Sequence, residues 1–106
     1  MPKPTKAIQA AAKKARRFKE EGKAKGAGTP VGWTRASQLA KGEEVSMETV
    51  KRMYSYLSRH EVDKKGQNFG DNEKPSKGYV MWLAWGGDPA FEWSKRLVER
   101  EKKKNQ

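Results

Sequence analysis

Cysteine is absent from this chain of 106 residues, and histidine occurs once, as His60. Without thiols there is no disulfide framework and no thiolate nucleophile, and a single imidazole cannot build a His-rich metal site. Neither a metal nor a cofactor is expected, and a reducing, intracellular setting fits. Long hydrophobic runs are missing as well. The longest, Tyr79 to Trp85, holds seven residues, where a bilayer crossing needs about 20. A soluble protein with no membrane partner is expected. The opening Met1-Pro2-Lys3-Pro4-Thr5 lacks the apolar segment of a secretory signal. The basic, Ala-rich stretch after it departs from a transit peptide in favouring lysine and in carrying Glu20 and Glu21. Acidic residues are scarce too, 13 against 24 Lys and Arg, which leaves a formal net charge of +11.

That charge is laid out unevenly. Residues 1–26 carry nine Lys or Arg against two Glu, residues 95–106 carry six against two, and the 68 residues between them balance at nine against nine. Nine of the ten aromatic residues fall between Trp33 and Trp93, so apolar surface collects where the charges cancel. A chain this short supports one core. The expected organisation is therefore a basic amphipathic arm and linker over 1–28, a compact helical domain over 29–98 and a basic disordered tail over 99–106. Cationic ends of this kind attract polyanions, chiefly nucleic acid, through a field that needs no fixed geometry.

Periodicity fills in the elements. Ile8, Ala11, Ala12, Ala15 and Phe18 recur at helical spacing, with Lys6, Lys13 and Arg17 on the other face, Thr5 placed as N-cap and glycines unravelling the end near Gly22. Because alanine buries little area, this helix is expected to pack weakly unless Phe18 inserts, and to fray or to become ordered on binding. Gly26 to Gly32 reads as a linker. Trp33, Ala36, Leu39 and Ala40 form one face of a short helix ended by Gly42. Ser46 caps a stronger helix reaching Arg59, striped by Met47, Val50, Met53, Tyr54 and Leu57. Residues 61–77 read as a long polar surface loop. Tyr79 to Trp85 is read as a helix rather than a strand, since only Val80 is β-branched and Gly86-Gly87 supplies a stop. Asp88 and Pro89 then open a last helix that turns Phe91, Ser94, Leu97 and Val98 inward. The fold class is all-α, a small bundle of about four short helices with a basic N-terminal helical arm.

The residues that bear on function follow from this layout. Lys6, Lys13, Lys14, Arg16 and Arg17 are each placed to neutralise a phosphate, and Arg96 and Arg100 extend the cationic set at the other end. Lys74 and Lys77 flank a helix start, where free amides favour an anion. The glycine-rich GxxxxGK[ST] arrangement is missing there, so nucleotide hydrolysis is not supported. Four tryptophans suit a core better than a stacking platform for bases, with one partly exposed ring compatible with either. His60 beside Glu61 and Asp63 reads as a helix-terminal histidine bonded to a neighbour rather than as acid–base machinery. No catalytic residues are assigned, and no enzyme is expected.

The segments Arg35-Ala-Ser-Gln-Leu-Ala-Lys-Gly, Val45-Ser-Met-Glu-Thr-Val-Lys-Arg-Met, Ser58-Arg-His-Glu-Val-Asp, Pro75-Ser-Lys-Gly and Leu83-Ala-Trp-Gly-Gly-Asp-Pro together resemble a small domain of unknown function found in tailed-bacteriophage proteins. That domain occurs alone or joined to head, portal or maturation-protease regions. The resemblance covers about Trp33 to Ser94, leaves the basic N-terminus outside, and brings no catalytic residues with it. It implies a viral protein acting in the infected bacterial cytoplasm or in the virion. The expectation is a small, non-enzymatic, phage-type nucleic-acid-binding protein, sequence-tolerant and directed to DNA ahead of RNA. The alternative is a structural or interaction module of the head or virion, contacting other phage or host proteins.

Overall fold

Threonine and serine hydroxyls start four of the five helices in the computed structural model, which describes residues 2–104. Thr5 accepts from the Ile8 amide at 3.3 Å, Thr29 from Gly32 at 3.3 Å, Ser46 from Thr49 at 3.2 Å and Ser76 from Tyr79 at 3.0 Å. Each satisfies an amide with no partner inside its helix and contributes about 1 kcal/mol. The helices are α1 (Lys6–Glu20), α2 (Pro30–Ala40), α3 (Met47–His60), α4 (Lys77–Ala84) and α5 (Gly87–Lys104). A 3-10 turn at Glu61–Lys65 extends α3, and there is no strand among the described residues.

The chain is all-α as expected, but the first helix is not a loosely held arm. Ile8, Ala12, Ala15 and Phe18 are buried in the same core as Leu39, Val50, Met53, Leu57 and Val80, and α1 packs against α2, α4 and α5. Phe18 inserts into the core, the condition on which firm packing depended, and the alanine stripe adds to it because small side chains let helices approach closely. At the crossing with the α4–α5 corner, a Cβ on Gly87 would lie 3.2 Å from Ala11 Cβ, and one on Gly86 would lie 3.0 Å from Ile8 Cγ2. The chain before α1 is tied down as well, since the Val45 amide donates to the Pro2 carbonyl at 2.9 Å.

Three boundaries also move. Thr29 caps and Pro30 takes the first turn, so α2 begins three residues before Trp33 and consumes much of the supposed linker. Asp88 does not cap α5, which already includes Gly87. Its carboxylate accepts from Trp82 Nε1 at 2.9 Å and pairs with Lys64 at 2.7 Å instead. Of the tail expected over 99–106, residues 99–104 belong to α5, and 105–106 lie outside the described residues. Glu101 bonds to Lys51 of α3 at 2.7 Å, which fastens that end. The polar segment after α3 is pinned where Phe69 meets Tyr79 at 5.0 Å and Trp82 at 6.5 Å between ring centroids. Trp82, Trp85 and Trp93 are buried, while Trp33 is half-buried, which agrees with a tryptophan-built core and one partly exposed ring.

Candidate nucleic-acid interface

Burial of one side of α1 fixes what the other side offers. Lys6, Lys13 and Arg17 are exposed opposite the Ile8–Ala12–Ala15 stripe, and no carboxylate stands in the first turn of the helix. Arg16 is half-buried and, with Lys19, Glu20, Trp33 and Ser37, lines a groove of about 390 Å³ between α1 and α2. Lys19 Nζ lies 4.6 Å from the centre of the Trp33 ring, whose Nε1 donates to the Ala27 carbonyl at 3.1 Å. Glu20 tempers the charge at this end.

Lys14 plays a different part from its neighbours. It donates to the Tyr79 hydroxyl at 2.9 Å and sits 5.4 Å from that ring's centre, bracing α1 against α4. Its ammonium is partly committed within the fold, which makes it less available than the exposed Lys6, Lys13 and Arg17. At the far end of α1, Lys23 donates to the Asn72 carbonyl at 3.2 Å, and Lys77 Nζ lies against Gly26. Lys74 and Lys77 are exposed there, so the segment before α4 joins its cations to those at the end of α1. Asp71 holds that segment by accepting from the Glu73 and Lys74 amides at 2.8 and 3.0 Å. The Lys74 amide, then the Glu73 amide, keeps the Asp71 carboxyl below its ordinary pKa.

Arg96 and Arg100 do not join this group. Both are exposed on the part of α5 that runs along α3, between the Tyr54–Phe91 contact and the Lys51–Glu101 ion pair. The nine cations picked from the sequence therefore divide into an α1 and α4 set and a separate α5 pair. Arg100 borders an apolar groove of about 210 Å³ floored by Met47 and Leu97.

Sequence reasoning passed over a third cluster. Arg35, Trp85, Tyr56 and His60 stack in a column: the Arg35 guanidinium lies 5.8 Å from the Trp85 ring centre, Trp85 and Tyr56 are stacked at 4.6 Å, and Tyr56 and His60 at 4.3 Å. His60 Nδ1 is 3.2 Å from Asp63 Oδ2, a bond to a neighbouring carboxylate of the kind read from the sequence. Among the described residues no three His, Asp or Glu side chains gather to hold a metal ion. Burial, and after it the charge of Arg52, lowers the pKa of Arg35, while burial and then Asp63 raise that of Tyr56 against the opposing pull of Arg59. The available signal was the polar side of α3, where Lys51, Arg52, Ser55 and Arg59 recur near helical spacing. The apolar stripe on the other side of the same helix is the stronger periodic signal. No helix of the described residues is long and apolar enough to cross a membrane. No family model, curated protein or solved structure matches this chain.

Proposed function

We propose that this is a non-enzymatic nucleic-acid-binding protein that grips the phosphate backbone with the outer face of α1 and reads no base sequence. The observation that carries the reading is the contrast between the two sides of that helix. One is locked into the core through Ile8, Ala12, Ala15 and Phe18, and the other holds Lys6, Lys13 and Arg17 in water. Cations on a rigid helix lose less freedom on contact than cations on a disordered tail, and each phosphate contact releases condensed counterions. Arg16, Lys74 and Lys77 extend the same set. Sequence tolerance follows from contacts that reach phosphates and sugars rather than base edges. The resemblance to a tailed-bacteriophage domain adds a viral setting, with DNA the preferred partner and the infected bacterial cytoplasm or the virion the place of action. Its support is the quoted segments alone.

The apolar groove between Met47 and Leu97 favours a second reading, a structural or interaction module of the virion. Titrating the full chain into labelled duplex DNA, single-stranded DNA and RNA of two unrelated sequences separates the two. The first reading predicts similar affinity for both sequences, duplex DNA ahead of RNA, and loss of binding when Lys13, Arg16 and Arg17 are changed together to Gln. Absence of binding to every polynucleotide in dilute buffer would leave the interaction module.

A further inference from the structure

The cluster on α3 does not belong to the α1 face. Trp33 and Arg35 are two positions apart on α2, about 200° around the helix, so the side of α2 that closes the Arg16–Lys19–Trp33 groove is turned away from the side carrying Arg35. On the Arg35 side a groove of about 420 Å³ is lined by Glu48, Lys51, Arg52, Ser55, Tyr56, Arg59 and Trp85, with Arg35 lying over Trp85. Three properties of this groove point to one kind of ligand. Its three lining cations outnumber its one lining carboxylate: Lys51 pairs with Glu101 and Arg52 with Glu48, whereas among the described residues Arg59 pairs with no carboxylate, nor does Arg35 over the neighbouring Trp85. Its cations are also crowded, since the Arg52 charge acts directly on Arg35. Finally, Arg35 is positioned rather than free. Its guanidinium lies over Trp85, one terminal nitrogen donates to Gln38, and its Nε–H is buried with no acceptor in the protein.

We propose that this groove is a second, separate anion site that takes a phosphate group. Arg52 and Arg59 supply charge-assisted hydrogen bonds, Ser55 a hydroxyl, and Arg35 the positive potential behind them. Both faces of the Tyr56 ring are already covered, by Trp85 and by His60, and Trp85 is covered by Arg35. Neither Tyr56 nor Trp85, the two rings that line the groove, therefore offers an open face to a base, and the ligand is recognised by its phosphate. The Arg52 charge acts unfavourably on Arg35 until an anion joins the cluster, so occupancy stabilises it. The proposal does not depend on the α1 reading.

The test is a titration of the intact 106-residue chain with inorganic phosphate, followed by NMR at the Arg35 and Arg59 Nε–H signals. Saturable shifts at both are expected. They should persist in the α1 variant Lys13→Gln/Arg16→Gln/Arg17→Gln, and phosphate affinity should fall by about tenfold or more in Arg52→Gln/Arg59→Gln, which removes two charge-assisted bonds. Unmoved signals, or equal affinity in the groove variant, would overturn the site. Folding of that variant is checked by its Trp82 and Trp93 indole signals, and the single variant Arg59→Lys, which keeps charge but loses the fork, should weaken binding while leaving them in place. A competing single-stranded oligonucleotide identifies the source of the phosphate. Displacement from the groove points to a nucleic-acid backbone, and saturable phosphate binding that the oligonucleotide leaves untouched assigns the same site to a small phosphate compound. Phosphate binding here together with no polynucleotide binding anywhere would sink the α1 reading and leave the groove standing.

Discussion

Two glycines show how differently one residue type is used in this chain. Gly86 has φ +105°, and a Cβ there would fall 2.3 Å from Ala90 Cβ and 3.0 Å from Ile8 Cγ2. Gly86→Ala thus combines left-handed backbone strain with a clash at the corner joining α1, α4 and α5. It should cost about 2–4 kcal/mol. Gly70 has φ +88°, but a Cβ there would meet nothing within 4 Å, so Gly70→Ala carries the backbone strain alone, about 1 kcal/mol. Chemical denaturation of the two variants checks the difference, and equal losses would contradict it. Tyr56 makes a prediction in pH. Its folded pKa is raised above the ordinary 10.0, first by burial and then by Asp63, so the folded state holds the proton that the unfolded chain releases. The stability this contributes is fully present below pH 10.0 and is lost as pH rises from there through the raised folded value. The denaturation midpoint of the wild type should therefore fall relative to that of Tyr56→Phe as pH rises through that range, and parallel curves would contradict it.

At the scale of elements, α1 departs furthest from what its sequence suggests. Were residues 1–28 a mere arm, their deletion would leave the rest intact, but it strips Ile8, Ala12, Ala15, Phe18 and Ala27 from the core. The truncated chain should fail to fold cooperatively. Ile8→Ala, at a fully buried position, should destabilise by about 3 kcal/mol, and a near-silent Ile8→Ala would restore the arm. The helices and their caps at Thr5, Ser46 and Ser76 were legible because periodicity and hydroxyl caps are local signals. What α1 packs against was not, because the value of an alanine stripe depends on Gly86 and Gly87, which meet it from far along the chain. The start of α2 was hidden for a related reason, since Pro30 among glycines signals a linker unless the Thr29 cap is weighed with it. Among site residues, the exposure of Lys6, Lys13 and Arg17 could be read from the sequence. The commitment of Lys14 to Tyr79 and the stacking of Arg35 on Trp85 could not, because both join residues distant in sequence.

The whole molecule presents its charge on distinct faces of one body rather than on two trailing ends. Its extents are 45 × 28 × 22 Å, so the long axis covers at most about 13 steps of duplex at roughly 3.4 Å each, and binding-site size measured at saturation should not exceed that figure. Trimming the ends cannot test such an arrangement, because the cations to be removed stand on a helix the core requires. Surface neutralisation can. The most direct measurement is duplex affinity as a function of salt for the full chain and for Lys6→Gln/Lys13→Gln/Arg17→Gln, whose three side chains are exposed. Backbone gripping by α1 predicts log affinity falling linearly with log salt in both, with the slope of the variant shallower by about 0.9 for each phosphate it no longer neutralises. An identical slope and affinity in the variant would contradict it.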